Sequence, residues 1–292
     1  MKKTINLHFI TNYDDMETET LSKRNKYTHK NNIWNNITID ETKPADYWVI
    51  QNHPGKNTNY IPEKTLLFYN EPILTRKRWL PWANSQNWFS NYTERNWTGW
   101  GVSWDIDTFM TRPIFKVKEK SNCISTITSD LTFYPGHKLR LNMVKYMDNL
   151  DKFGVVPHIY GRKTKNPSIL DTFKHYKGQL NYNKDAGLFP YHYHFMAENS
   201  QEVGYFSEKL IDPILTETLC FYYGAPNAKN YIHEKAFIGL DLTRPNKSLE
   251  IIVNAMKNNE REKRLKYIKQ AKKKILTELS IMPVIDSIIN KK

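Results

Sequence analysis

The sequence predicts an α/β protein of two domains, with a parallel sheet flanked by helices in its middle and last thirds. Three observations carry this expectation. Strand-like apolar runs and helically spaced segments alternate through the middle and last thirds of the chain, the pattern of strands joined by helical crossovers. A chain of 292 residues can supply two cores of ordinary size. With 39% apolar and 13% aromatic residues the composition is globular, and no run approaches the ~20 apolar residues of a membrane-spanning helix.

In the first third, residues 5–10, 47–51 and 65–69 read as strands, separated by polar segments long enough to hold helices. Residues 123–128 then read as a strand, 139–150 as a helix by their apolar spacing, and 154–160 as a strand. The apolar run ending at Ala197 is followed by the polar loop Glu198-Asn199-Ser200-Gln201-Glu202. Gly204-Tyr205 punctuates it, and Ser207-Glu208-Lys209 opens an amphipathic helix continued by Leu210, Ile211, Ile214 and Leu215. This is a strand, a loop and a helix start. Residues 219–223 and 236–242 complete the alternation. Pro113 and a Lys/Glu cluster interrupt the pattern near 111–120, which divides the chain into domains at 1–115 and 116–246 and a basic helical tail at 247–292. Within the tail, 247–276 reads as one helix, with Leu249, Ile252, Val253, Met256, Leu265, Ile268, Ile275 and Leu276 among charges.

Charge is unevenly spread. The chain carries 43 Lys and Arg against 30 Asp and Glu, a net +13, and from residue 244 onward there are 13 basic and 5 acidic residues. The body is therefore only mildly basic. A basic amphipathic helix suits an anionic surface, so peripheral membrane contact through the tail is an expectation. A non-enzymatic basic nucleic-acid-binding protein is the alternative that the +13 charge and the aromatics suggest; the gathering of basic residues in the tail, not interleaved with aromatics, counts against it, and no specific nucleic-acid partner is expected. The N-terminal MKKTINLHFITNYDD reads as a first strand without a small-residue cleavage site, and a cytoplasmic protein is expected. Asn36, Asn91, Asn96 and Asn246 lie in N-x-S/T triplets of an Asn-rich sequence and are not read as glycosylated. Cys123 and Cys220 have neither metal-site nor redox spacing and read as buried thiols.

The loop after Ala197 lies where open α/β sheets bind ligands, beyond a strand's carboxyl end, and it leads into a helix start that favours anions. Lys209 can offset a diphosphate there, and Glu208 can accept hydrogen bonds from sugar or ribose hydroxyls. Tyr205 can stack on or hydrogen-bond a nucleotide, and Asn199 can both donate and accept. Six of the eight tryptophans lie between Trp79 and Trp104; among them Trp88, Trp97 and Trp100 are read as faces for an acceptor sugar. Asp105-Ile106-Asp107 is a D-x-D pattern, two carboxylates on one strand face that could hold Mn²⁺ or Mg²⁺. His192 and His194 share a strand face but have no third ligand in register and read as ordinary strand histidines.

The segment FMAENSQEVGYFSEKLIDPILTETLCFYYGAPN resembles the signature of the family 10 glycosyltransferases, the α-1,3/4-fucosyltransferases. Glu198-Asn199-Ser200, Gly204-Tyr205, Glu208-Lys209, Asp212, Tyr223-Gly224-Ala225-Pro226 and Ala236-Phe237-Ile238 occur in matching order; Ala197 stands for an aromatic and Ser207 for a threonine. The likeness is specific over about 50 residues, clearest at 191–242, and only an outline in the first third. The resemblance implies a GT-B-like fold of two Rossmann-type domains facing across a cleft, donor binding at 116–246 and acceptor binding at 1–115. It implies an inverting transfer of fucose from GDP-fucose to a glycan hydroxyl, with no metal required and Mn²⁺ or Mg²⁺ at most stimulatory. Arg140 matches the family's diphosphate-binding arginine, whose guanidinium can grip phosphate oxygens bidentately. Glu71, in LLFYNEP, matches the position of the family's glutamate base. A different nucleotide sugar with a metal at Asp105 and Asp107 is the rival within the class.

Overall fold

A computed structural model of the chain describes residues 3–11, 25–55, 59–94, 99–117, 120–180 and 184–290. It divides into two compact units: Met1–Gly99 with Trp104–Arg112 and Leu276–Lys292, and Trp100–Ser103 with Pro113–Ile275. The strands are β1 Ile5–Thr11, β2 Ile33–Trp34, β3 Ile37–Ile39, β4 Tyr47–Gln51, β5 Thr65–Phe68, β6 Ser90–Tyr92, β7 Cys123–Ser129, β8 Val156–Arg162, β9 Tyr193–Ala197, β10 Leu219–Tyr223 and β11 Phe237–Gly239. The helices are α1 Ile73–Arg76, α2 Leu80–Asn84, α3 Ile106–Thr111, α4 Pro135–Met147, α5 Asp185–Leu188, α6 Glu208–Leu215, α7 Pro245–Lys257, α8 Glu260–Lys274 and α9 Ile281–Asn290.

The first unit holds a sheet in the order β2-β3-β1-β4-β5-β6, parallel except for β2 against β3. Val49, Ile50, Leu66 and Leu67 are fully buried, as expected of strands covered on both faces. Ile10, Ile50, Leu67, Tyr69 and Ala83 form one core cluster, against which Trp48, Tyr60, Trp82 and Trp88 pack.

The second unit is a five-stranded parallel sheet in the order β11-β10-β9-β7-β8. From β7 the chain moves outward to β8 and then returns to β9 on the other side of β7. The strand order therefore reverses between β7 and β9, the kind of switch point at which α/β sheets open a crevice for ligands. All five residues of β9 and all five of β10 are buried, which is why YHFMA and LCFYY read as unbroken apolar runs. Pro135 at the first position of α4 needs no hydrogen-bond partner for its nitrogen and presets the helical φ.

The C-terminal segment departs from the single helix expected at 247–276. Asn259 takes a left-handed conformation, φ 51°, and separates α7 from α8; asparagine tolerates that region better than most side chains. α7 and α8 belong to the second unit and Leu276–Lys292 to the first. Two of the tail's cations are internal: Arg261 donates from Nε and Nη2 to the Glu217 carbonyl at 3.0 and 2.9 Å, and Lys272 pairs with the Glu217 carboxylate at 3.1 Å. In α9, Ile281, Met282, Val284, Ile285 and Ile289 are buried. Among the described residues no helix is long and apolar enough to cross a membrane.

Candidate functional site

The most concentrated polar constellation of the second unit lies at the carboxyl ends of β7 and β9. Arg140, on the second turn of α4, is 4% exposed. Its Nε donates to Thr128 Oγ1 at 3.0 Å, and its Nη1 donates to the Ala197 carbonyl at 3.1 Å and to Asn199 Oδ1 at 3.4 Å. The guanidinium thus bridges the last turns of the two strands that flank the switch point. Nη2 makes no hydrogen bond among the described residues. Burial pushes the arginine's pKa down while Glu198, Tyr205 and Glu208 push it up; an arginine stays charged through shifts of this kind.

The start of α4 is fixed against the loop that follows β9. Gly136 N–H donates to the Asn199 carbonyl at 3.0 Å, and a Cβ at Gly136 would collide with the Glu198 and Asn199 carbonyl oxygens. Only glycine allows this approach. Gly136→Ala is expected to force the two loops apart and lower stability by about 1–3 kcal/mol, read as a drop in Tm.

Glu198 is fully buried and ties the β9 loop to α6. Its carboxylate accepts from Ser207 N–H at 2.8 Å, from Ser207 Oγ at 2.8 Å and from Tyr222 Oη at 3.3 Å, with Lys209 Nζ 3.5 Å away. Burial raises its pKa and Lys209 opposes that. Ser207 caps α6 by accepting from Lys209 N–H, the role its place before the apolar helix predicts.

Lys209 Nζ lies 3.1 Å from Ser207 Oγ and 3.3 Å from Glu208 Oε1. Glu208, 35% exposed in its side chain, also pairs with Lys184 at 3.1 Å, and Lys184 reaches buried Asp212 at 3.0 Å. Burial would raise the Glu208 pKa, but Lys184 and Lys209 outweigh it and hold the carboxyl ionised. Burial likewise disfavours a charged Lys184, yet Asp212 and Glu208 raise its pKa. Asp212 Oδ1 accepts from Gly101 N–H at 2.8 Å. Arg140, Lys184 and Lys209 therefore face Glu198, Glu208 and Asp212, and of these Lys184, Lys209 and Glu208 keep partial access to solvent.

Asn199, Glu208, Lys209 and Arg140 of the sequence reading thus fall in one neighbourhood. Tyr205 is 2% exposed and sits close enough to Arg140 to influence its pKa, as part of a wall and not as an open stacking face. Lys184 was missed; it stands 24 positions before Glu208 in the polar stretch NYNKD, and no local pattern links them. His137 was missed although it precedes Arg140 by three, a spacing that puts both on one helix face.

In the first unit Glu71 lies in the turn between β5 and α1, beyond the strand's carboxyl end, and is partly buried. Beyond the neighbouring end of β4, His53 lies against two tryptophans, 6.2 Å from Trp79 and 4.6 Å from Trp82 between ring centroids. Trp88 donates from Nε1 to the Ala83 carbonyl at 2.6 Å and stacks on Tyr60 at 6.0 Å. Trp100, in the second unit, is 3% exposed, so its ring is core and not the open face expected for a sugar. Trp97 and Asn96 lie outside the described residues.

The D-x-D aspartates are not on a strand. Asp105 caps α3, accepting from Thr108 N–H at 2.7 Å. Asp107 binds His29 Nδ1 at 2.7 Å and accepts from Lys30 N–H at 3.1 Å. The two carboxylates point to separate structural tasks. His194 is buried with its Nδ1 2.7 Å from Ser125 Oγ; burial first, and then Lys184 and Lys116, lower its pKa to about 3, so the ring is neutral, while His192 lies 3.3 Å from Glu262. Cys123 and Cys220 are free, buried thiols.

No family model matches the chain, and no curated protein matches it in sequence. Solved structures resemble it over nearly its whole length. An α1,3-fucosyltransferase is 15% identical, the likeness covering 96% of this chain and 92% of that one at a TM-score of 0.50. A glycosyltransferase from Rickettsia africae ESF-5 is 11% identical over 100% of both chains, TM-score 0.52. A DNA-modifying β-glucosyltransferase is 7% identical over 98% of this chain and 100% of that one, TM-score 0.50. At these identities the likeness shows the fold, which is the GT-B class built from two Rossmann-like domains.

Proposed function

We propose that the protein is a glycosyltransferase that takes a sugar from a nucleotide donor and places it on a glycan hydroxyl. One observation supports this reading above the others: Arg140 bridges the carboxyl ends of β7 and β9 beside the Asn199 loop and the start of α6. A diphosphate there would meet the guanidinium and the Lys209 ammonium, both of which act on negative charge. The three structural neighbours are named as glycosyltransferases, which fits.

The finer reading is transfer of fucose from GDP-fucose. It rests on the likeness of residues 191–242 to the fucosyltransferase signature and on the α1,3-fucosyltransferase among the neighbours. In this reaction Glu71 removes the proton of an acceptor hydroxyl as its oxygen attacks the anomeric carbon from the face opposite GDP. The bond from that carbon to the diphosphate oxygen breaks, and GDP leaves with the electron pair. Arg140 and Lys209 stabilise the charge that grows on the diphosphate. Asn199 and Glu208 hold donor hydroxyls, and Trp88 and the tryptophans around His53 contact the acceptor. Asp105 and Asp107, engaged in a helix cap and with His29, do not favour the metal-dependent rival.

The test is incubation of the wild-type protein with GDP-fucose and a glycan mixture, with UDP-sugars in parallel, and mass spectrometry of the products. A glycan gaining one deoxyhexose from GDP-fucose is the expected result. Transfer only from a UDP-sugar would keep the glycosyltransferase and overturn fucose; no transfer from any donor would overturn both.

A further inference from the structure

His137 stands in the first turn of α4 and is 2% exposed. The rings of Phe133 and Tyr134 meet it edge-on, with centroids at 4.7 and 5.2 Å. Its Nδ1 is buried and has no hydrogen-bond partner among the described residues. Leaving such an atom unpaired carries a desolvation penalty; Trp34 Nε1, Thr126 Oγ1 and His192 Nε2 share this state among the described residues, but His137 alone of the four lies on the helix that carries Arg140. Burial first, and then the nearby Arg140, hold its pKa down to about 4, with the Asn199 side chain acting in the opposite sense and Lys209 adding to the depression. At neutral pH the ring is therefore uncharged and carries one N–H. The group best suited to meet a buried N–H beside two cations is an anionic oxygen.

Resting on the nucleotide-sugar reading above, we propose that His137 is a positioning residue of the diphosphate subsite, donating from Nδ1 to a phosphate oxygen that Arg140 also holds. The two side chains lie one helical turn apart on α4, and Asn199 borders both. Because Gly136 locks the start of this helix to the Asn199 carbonyl, the imidazole is presented in a fixed place. The contact would let the site distinguish a nucleoside diphosphate from a monophosphate without relying on the base, so it serves GDP and UDP alike.

The geometry of two amides provides the test. Asparagine carries its amide nitrogen three bonds from Cα, as Nδ1 is carried, whereas glutamine carries its own four bonds away, as Nε2 is. Calorimetric Kd values for GDP, UDP, GMP and UMP are compared in wild type, H137N, H137Q and H137F, with Tm measured for each. H137Q and H137F should weaken the better diphosphate about tenfold and its monophosphate far less, while H137N stays within about threefold of wild type. Equal diphosphate affinity in wild type and H137F, or H137N as weak as H137Q while folded, would overturn the role of His137 alone. Wild-type protein that binds neither diphosphate would overturn both this role and the nucleotide-sugar reading.

Discussion

Arg140→Ala is expected to raise the Kd for the donor diphosphate by roughly 30-fold, the equivalent of about 2 kcal/mol, and to slow transfer by more than that. The larger effect on rate follows from where charge develops: the guanidinium gains interaction energy as the leaving diphosphate becomes more negative, so its loss is felt most in the transition state. Arg140→Lys should recover little, because a single ammonium cannot bridge Thr128, Ala197 and a phosphate at once. The structural cost is separable. The alanine variant loses side-chain hydrogen bonds to Thr128 and the Ala197 carbonyl and takes one cation from the surroundings of buried Glu198, so its Tm should fall as well and is measured beside its affinity. A folded Arg140→Ala protein that binds GDP and UDP as wild type does would remove the arginine from the site.

Glu71→Gln is expected to lower kcat by about 10²–10⁴-fold with Kd for the diphosphate unchanged. Glutamine keeps the size of the side chain and its capacity to hydrogen-bond, but it cannot take a proton. Asp107→Asn serves as the control: that carboxylate is held by His29 and the Lys30 N–H, so its loss should show in Tm and not in kcat. Steady-state rates together with nucleotide titrations of the two variants separate the base from its rivals. Full activity in Glu71→Gln would return the search for the base to the other acids of the first unit.

The parts of the fold legible in the sequence are those where local pattern and burial coincide. Tyr47–Gln51 and Leu219–Tyr223 are strands over the expected bounds because each is an apolar run long enough to cross its sheet. β2, β3 and β6 were not visible: they have two or three residues each, and SNY or the ITI of NNITID carry no strand signal outside the sheet that recruits them. α4 begins at Pro135, four residues before the expected start, although a proline at the first helical position is itself a start signal. The D-x-D aspartates, which the sequence offers only as the metal site of the rival reading, show how little so short a pattern carries: Asp105, three residues before Thr108, is an ordinary cap. In the candidate site, the loop after β9 and the start of α6 were legible from spacing. The joining of Arg140 to that loop was not readable locally, because it depends on β9 returning to the far side of β7. Lys184 depends on tertiary structure in the same way, brought to Glu208 and Asp212 from a separate loop.

The central claim is that the carboxyl ends of β7 and β9 hold the diphosphate of a nucleotide-sugar donor. Calorimetric titration of the wild-type protein with GDP and UDP, each with and without EDTA, tests it most directly. The account predicts saturable binding of one nucleoside diphosphate per chain, GDP the tighter, at an affinity that EDTA leaves unchanged and that Arg140→Ala reduces. No binding of either diphosphate up to about 1 mM, where a complex is worth only about 4 kcal/mol, would contradict it.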